Sequence, residues 1–319
     1  MIITAALSAT QRDAVRELLA TVSQHDGVSA LDEAALLALD GDSAQHLMLE
    51  GSAEDGTAEG GTAEQGNAED GTAGHGARTA LFAYASVLAD GTVQGMVHPA
   101  HRRRGHGAAV LREALDLHAD AGVWAHGALE GSLAFLSAAG LQETRRLLTL
   151  HRSLEATQPL PAIPASALEG LRLASFEADR DAERWVTVNS RAFAGHPEQG
   201  ALTRADLDQR LAQPWFDAED MLVALRDDEL VGFVWVKREH PGDRTQDAEI
   251  YVVATDPSVQ GHGVAGLLMA TSLARLQEDG VPGVELYVEA DNTPALRLYE
   301  NWGFTVSGRD VQMRPAEKA

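Results

Sequence analysis

Thr255-Asp256-Pro257-Ser258-Val259-Gln260-Gly261-His262-Gly263-Val264-Ala265 decides how this chain is read, because a second version stands half a chain earlier: Val97-His98-Pro99-Ala100-His101-Arg102-Arg103-Arg104-Gly105-His106-Gly107. In each version a Pro precedes a Gly by six positions, Arg or Gln stands three before that Gly, and a small residue lies two after it. Repetition on this scale means two copies of one folding unit. Upstream of the second copy, Glu249–Ala254 (EIYVVA) is a β-rich run. Downstream, Val264, Leu267, Leu268, Thr271 and Leu276 have helical spacing over 263–279, and Gly280 stops the helix. A strand, a glycine-rich turn and a helix aim several backbone N–H groups at one point. Glycine lets the backbone approach closely, and the helix dipole favours negative charge. The ligand so described is a pyrophosphate.

The rest of the second half reads outward from there. Leu171–Phe176 is a strand candidate, and helices are expected around 182–194 and 203–213. Met221–Leu225 and Leu230–Lys237 form a hairpin across Asp227-Asp228. Val284–Val288 is a strand. A helix then opens at Thr293-Pro294, with Thr293 as N-cap, and closes before Gly303; Thr305–Met313 is the last strand. The order is β-α-α-β-β-β-α-β-α-β. In the first half, strands are expected at 2–6, 46–50, 79–87, 92–97, 123–125 and 144–151, with helices over 107–121 and 133–139. The fold class is therefore α/β, two tandem domains with mixed central sheets flanked by helices. Pro159, Pro161 and Pro164 mark a linker over 154–169 between domains at 1–153 and 170–319. Residues 51–76 repeat a five-residue unit beginning with Gly and hold no apolar side chain larger than Ala, so a disordered insertion is expected there.

Composition narrows the function. The chain of 319 residues carries 48 acidic against 25 basic residues, a net charge of −23. That field repels nucleic acid and anionic membrane, so neither is an expected partner, and any anionic ligand must be held by local geometry. With 0 cysteines there is no disulfide, thiolate metal site or Cys nucleophile, and no metal is expected. No apolar run approaches the roughly 20 residues of a membrane helix, and no signal peptide is evident; a cytoplasmic monomer is expected.

The strand, the R/Q-x-x-G-x-G/A loop and the helix resemble those of the GNAT superfamily of acyl-CoA N-acyltransferases. Asn292-Thr293-Pro294-Ala295-Leu296-Arg297-Leu298-Tyr299-Glu300-Asn301-Trp302-Gly303-Phe304 is similar to that superfamily's N-x-x-A-x-x-x-Y-x-x-x-G-F signature. The resemblance implies acetyl-CoA as co-substrate. It would lie against Val253, Ala254, Thr255 and Gln260 to Gly266 (Gln260, Gly261, His262, Gly263, Val264, Ala265, Gly266), and against Asn292, Thr293, Pro294, Ala295, Leu296 and Arg297. It also implies a second acetyl-CoA in the first domain at Met96, Val97, Arg102, Arg103, Arg104, Gly105, His106 and Gly107. Two fused domains, with His196-Pro197-Glu198-Gln199-Gly200 and LYVEADN at 286–292, resemble the mycothiol-forming branch. These members acetylate the cysteinyl amine of a cysteinyl-glucosaminyl-inositol, a small thiol-sugar. On that resemblance Glu33, Glu198, Lys237, Glu249 and Tyr287 bind the acceptor, with Glu33 contributed by the first domain.

Amide formation from a thioester and an amine needs a neutral amine, a stabilised oxyanion and a proton for the leaving thiolate. Glu249 is placed to take the ammonium proton, directly or through water. N–H groups near Val253 and Thr255 suit the thioester oxygen, and Tyr299 suits the sulfur. Aligning Gly105 with Gly263 sets Gly91 opposite Glu249. Aligning Gly140 with Gly303 sets Leu136 opposite Tyr299 and Leu129 opposite Asn292. The first domain keeps the loop and lacks the catalytic pair. Two other readings stay open: a tandem acetyltransferase of another small amine or aminoglycoside, and a non-catalytic acyl-CoA sensor.

Overall fold

The computed structural model describes residues 1–52, 79–155, 158–162, 167–195, 199–239 and 245–316. The expectation for the repeat at 51–76 falls outside them, apart from Gly51 and Ser52, and so does Glu198. The chain divides into two compact units, Met1–Leu147 with Arg309–Ala319, and Leu148–Gly308. The division thus falls inside a strand, and the C-terminal segment belongs with the first unit rather than the second.

The first half runs β1 (Ile2–Thr4), α1 (Ala9–Asp26), α2 (Glu33–Ala38), β2 (Ala44–Ser52), β3 (Thr79–Leu88), β4 (Thr92–Val97), α3 (His106–Leu117), β5 (Gly122–Ala125), α4 (Glu130–Ala138) and β6 (Leu141–Ser153). The second half runs β7 (Leu171–Ser175), α5 (Ala178–Ala192), α6 (Arg204–Leu211), β8 (Met221–Arg226), β9 (Glu229–Lys237), β10 (Ala248–Thr255), α7 (Val264–Glu278), β11 (Gly283–Glu289), α8 (Thr293–Asn301) and β12 (Thr305–Pro315). Both halves read β-α-α-β-β-β-α-β-α-β. For the second half this is the order expected from the sequence, whereas in the first half α1 and α2 are elements that the expected order lacks. Helix α1 has a complete local rationale: a capping box between Ser8 and Gln11, buried Val15, Leu18 and Val22 on one face, and Gly27 at φ 73° to end it.

In the first unit the sheet order is β1-β2-β3-β4-β5, then the C-terminal part of β12 and the start of β6. Val311, Gln312 and Met313 of β12 pair with Ala125, Trp124 and Val123 of β5. Val311 and Met313 join the core beneath α3 with Val93, Val110, Leu111 and Ala114. In the second unit the order from β6 is β11-β10-β9-β8-β7. One core layer lies against α7 and α8, with Leu268, Leu273, Val284 and Leu286 at its centre. The opposite layer packs Trp185 of α5 and Leu207 of α6 on Phe233 and Trp235. The β8–β9 turn places Asp227 and Asp228 at φ 51° and 63°, the pair of left-handed residues that a two-residue hairpin needs. Among the described residues no helix is long and apolar enough to cross a membrane.

One feature is common to both halves and a second belongs to the second half alone. The parallel strands at the centre of either half pair only briefly: Thr92↔Gly122 and Val93↔Val123 between β4 and β5, Ala248↔Val284 and Glu249↔Glu285 between β10 and β11. Beyond those positions each pair splays. Strand β10 also carries an extra residue, since its register with β9 shifts between Ile250 and Val252 and leaves Tyr251 as a bulge. Strand β4 pairs with β3 without such a shift.

Because β12 completes the first unit, ending the chain after Gly308 should destabilise that unit first. Hydrogen exchange should speed up at the amides of 122–125 while the amides of β8 and β9 keep their protection. Met313→Ala should cost about 2–5 kcal/mol in the same unit. Unchanged exchange in β5 would show that the strand contributes no stability there.

Candidate active site

The bulge at Tyr251 changes which way β10 side chains face. Ala248 and Ile250 lie in the α7 layer, so Glu249 between them points to the opposite side. After the bulge Val252 and Ala254 belong to the α5 layer, and Val253 packs with the α7 layer. Without the extra residue Glu249 and Val253 would share a face; with it they are separated. Glu249 stands directly across from Lys237 of β9. The Lys237 ammonium lies 5.0 Å from the centre of the Trp215 ring and 6.0 Å from that of Tyr251, and 2.8 Å from Glu239. Arg210 of α6 donates from Nε to the Tyr251 hydroxyl at 2.8 Å. Sequence reading missed Tyr251, Arg210 and Trp215. Tyr251 lies within a recognised strand, but nothing in the sequence links it to two residues roughly forty positions upstream.

The backbone of β10 supplies donors. Asp256 N–H donates to Val231 O at 2.9 Å, on the β9 side. Alternation along an antiparallel pair then sends the N–H groups of Val253 and Thr255 to the other side, where β11 has parted from β10. Ala254 between them is buried in the α5 layer.

A 3₁₀ turn, Pro257–Val259, follows. Its N-cap is Asp256, whose Oδ1 accepts from Ser258 N at 2.9 Å and from Ser258 Oγ at 2.6 Å, while Arg191 donates to Oδ2 at 3.1 Å. The Ser258 hydrogen bond, helped by Arg191, holds this carboxyl below the usual carboxylate range. Gln260 leads to Gly261 and Gly263, both left-handed at φ 80° and 81°, with exposed His262 between them. Gly263 is the N-cap of α7, with no side-chain cap and no acidic residue in the first turn. The N–H groups of Val264, Ala265 and Gly266 therefore open the helix without a side-chain acceptor. Leu267 N–H is the first to find one within the helix, at Gly263 O.

On α8 the cap is Asn292, whose Oδ1 accepts from Ala295 N at 3.2 Å. This corrects the placing of Thr293 as N-cap: Thr293 is the first helical residue and Pro294 follows in the first turn. Ala295 and Leu296 pack on the α7 layer, and Arg297 is exposed. Tyr299 is the one buried residue of α8, set edge-on to Phe304 at 5.8 Å. Burial pushes its phenol up to about 12, and its hydroxyl has no hydrogen-bond partner among the described residues. Tyr287 is exposed on β11, with its hydroxyl 3.4 Å from Glu285.

The first unit repeats the loop and changes the chemistry. His98 caps the turn at Pro99–His101 by accepting from Ala100 N at 3.2 Å. Gly105, at φ 85°, opens α3 without a side-chain cap, ahead of His106 and Gly107. Arg103 occupies the left-handed position that Gly261 fills in the second unit, at φ 63°. Arg102 is engaged elsewhere: its guanidinium makes a bidentate pair with Asp26 at 2.8 and 2.6 Å and bonds Val97 O at 3.2 Å. Arg104 is exposed, and Met96 is buried against α1 residues. With the bulge counted, Thr92 takes the place of Glu249, where the sequence alignment had set Gly91. Thr92 donates its hydroxyl to Asp90 at 3.0 Å. Leu136, the one buried residue of α4, matches Tyr299. Glu33 is half-buried as the first residue of α2. No group of three or more His, Asp or Glu is placed to hold a metal among the described residues.

Residues 185–304 match the family model described as acetyltransferase (GNAT) family. A mycothiol acetyltransferase of Brachybacterium faecium is 72% identical, over 100% of this chain and 100% of that protein. A mycothiol acetyltransferase of Thermomonospora curvata is 39% identical, over 96% of this chain and 94% of its own. A GCN5-related N-acetyltransferase from Sphaerobacter thermophilus superposes with a TM-score of 0.65 over 98% of this chain and 94% of that one, at 23% identity. A tandem GNAT protein from the clavulanic acid biosynthesis pathway gives 0.56 over 76% and 82%, at 21% identity. These two structures share the fold.

Asp256 shapes the loop through a carboxylate whose stabilisation is complete above its unfolded value of about 3.9 and is lost as pH falls through its lower folded value. Asp256→Ala should remove the cap at a cost of about 1 kcal/mol and weaken CoA binding in calorimetry several-fold, with no change in melting cooperativity. Unaltered CoA affinity would detach this turn from the ligand.

Proposed function

The chain belongs to the mycothiol acetyltransferase family, and from that membership we propose that it transfers the acetyl group of acetyl-CoA to the cysteinyl amine of 1D-myo-inosityl 2-(L-cysteinylamido)-2-deoxy-glucopyranoside, giving mycothiol. Transfer is direct, in a ternary complex, and the second unit carries it. The observation that most supports this reading is the bulged, splayed strand β10. It separates a carboxylate, Glu249, from two backbone donors, Val253 and Thr255, that face the gap beside β11.

In this mechanism Glu249 takes a proton from the acceptor ammonium, directly or through one water, and the neutral amine attacks the thioester carbon. The C–N bond forms while the N–H groups of Val253 and Thr255 hold the carbonyl oxygen as it gains charge. The C–S bond then breaks, the phenol of Tyr299 gives its proton to the departing sulfur, and the extra proton left on the new amide nitrogen passes through water to the Tyr299 phenolate, which restores the phenol. Burial suits Tyr299 to this task, since a phenol raised to about 12 keeps its proton throughout the working range. Lys237, Glu198 and Tyr287 of the second unit bind the acceptor, the cation toward sugar hydroxyls and the carboxylate toward ammonium and polyol. The CoA pyrophosphate lies on the first turn of α7, where uncapped N–H groups offset the repulsion of a chain at −23. The loop before α3 holds a second acetyl-CoA that does not react, since Thr92 and Leu136 stand where Glu249 and Tyr299 act.

Glu249→Gln should lower kcat/KM about 10²–10⁴-fold at neutral pH, and part of the loss should return at alkaline pH, where the amine deprotonates in solution. Tyr299→Phe should lower kcat by about 10²-fold and leave the shape of the pH profile unchanged up to about pH 10. An alkaline limb that disappears in Tyr299→Phe would contradict the raised phenol. The assay is CoA-thiol release from acetyl-CoA, with the cysteinyl acceptor set beside aminoglycosides and simple amines. Turnover of the other amines alone would keep the acetyl-transfer chemistry and discard the acceptor. Binding of acetyl-CoA with no turnover would make the chain a sensor.

A further inference from the structure

Lys237 ends β9 with its charge almost enclosed, since its side chain is 11% exposed. It stands two residues beyond Trp235, which is buried in the α5 layer, so it leaves the sheet on the same face. Glu249, directly across on β10, leaves on that face too. Two aromatic rings meet the ammonium: Trp215, from the segment between α6 and β8, at 5.0 Å and Tyr251 at 6.0 Å. Both lie within the roughly 6 Å over which a ring face attracts a cation. The Glu239 carboxylate, 2.8 Å away, is more than half exposed. All of these residues belong to the second unit.

The rings are themselves held in place. Trp215 and Tyr251 pack at 5.3 Å, and each lies against Trp235, at 5.5 and 5.1 Å. Arg210 donates from Nη1 to Asp206 O of its own helix at 3.0 Å and from Nε to the Tyr251 hydroxyl at 2.8 Å. Its guanidinium therefore ties the ring of Tyr251 to α6. A lysine ammonium sits on a long flexible stem, and its position is set by what surrounds it. Here that is a pair of anchored ring faces, which attract the charge without offering the lone pairs of a strong hydrogen-bond acceptor.

Stability alone does not account for a cation here. Enclosing an ammonium has a desolvation cost that an apolar side chain would avoid. The first unit shows the alternative in the same fold. Val87 pairs with Val93 as Val236 pairs with Ile250, so Leu88, the next residue and the last of β3, holds the position of Lys237. Strand β4 pairs with β3 without a bulge. The enclosed lysine and the bulged tyrosine thus occur together in the unit that carries Glu249 and Tyr299.

We propose that Trp215 and Tyr251 are positioning residues for acceptor recognition, fixing the Lys237 ammonium against their ring faces and across from Glu249, with Arg210 holding the Tyr251 ring. This rests on the reading of Lys237 as an acceptor residue, and the test separates the two. Steady-state constants for acetyl-CoA and the cysteinyl acceptor are measured in Trp215→Leu, Trp215→Phe, Lys237→Met and the double variant of Trp215→Leu with Lys237→Met. Trp215→Leu should raise the acceptor KM about tenfold, with kcat and the acetyl-CoA KM within about twofold of the parent. Trp215→Phe keeps a ring face and should recover most of that loss. The double variant should be no worse than Lys237→Met, because Trp215 acts through the ammonium. Tyr251→Leu should show a smaller effect of the same kind and serves where Trp215→Leu folds poorly. If Lys237→Met raises the acceptor KM and neither ring variant does, the positioning role is wrong and the Lys237 reading stands. If Lys237→Met changes nothing, that reading falls and the proposal with it. Equal changes in kcat and both KM values with a lowered melting temperature would make the rings merely structural.

Discussion

Strands β10 and β11 share only two paired positions, and everything proposed for the second unit follows from where they part. A parallel pair that stops bonding leaves a row of N–H and C=O groups facing a gap, and such groups need partners. An extended polar ligand with its own amides is one source of them. At the far end of the same strand the uncapped first turn of α7 collects a second set of N–H groups, and Gly261 and Gly263 let the chain reverse tightly enough to aim them the same way. Two groups of backbone donors on one strand–loop–helix segment give an anionic ligand local attraction, and that is the requirement in a chain with 48 acidic residues against 25 basic ones. The bulge at Tyr251 adds the division of labour. It keeps a carboxylate on the α5 side of the sheet and turns the following residues so that Val253 meets the α7 layer that holds Tyr299.

What could be read from the sequence was what is written locally. The loop, its flanking strand and helix and the order of elements in the second half depend on Gly and Pro placement and on hydrophobic period, and all of these lie within short windows. The bulge was not legible. EIYVVA carries no glycine and looks like an ordinary strand, so counting back from the loop set Gly91 opposite Glu249 where the register sets Thr92. The role of Arg102 was hidden for a different reason, since the Asp26 that neutralises it lies 76 residues away in sequence. Asn292 and Thr293 are both good capping residues, and Pro294 fits either the first or second helical position, so local rules did not separate them. Helices α1 and α2 are another matter: their caps and the apolar face of α1 were present and were passed over. The return of β12 to the first unit left no local mark, because a strand's partner is chosen by tertiary packing.

Having two units of one fold in one chain separates what the fold needs from what the chemistry needs. Both loops take the same left-handed turn, even where the residue in it is Arg103 and the conformation costs about 1 kcal/mol. Both helices begin at a glycine without a side-chain cap. The shape of the loop is therefore a property of the strand-to-helix connection, and its presence says little about catalysis. The differences fall at the interior of the splay and beneath the last helix: Thr92 for Glu249, Leu136 for Tyr299, Gln94 for Val252. In the first unit a buried hydrogen-bond network crosses from β4 to the end of β5 and braces α2. In the second unit the matching position of β10 is aliphatic, and the polar groups gather instead around Glu249 and Lys237. One scaffold thus holds polar side chains that brace a neighbouring segment in one copy and that gather about Glu249 and Lys237 in the other. The assignment of roles rests on these few interior positions rather than on the loop that first reveals the repeat.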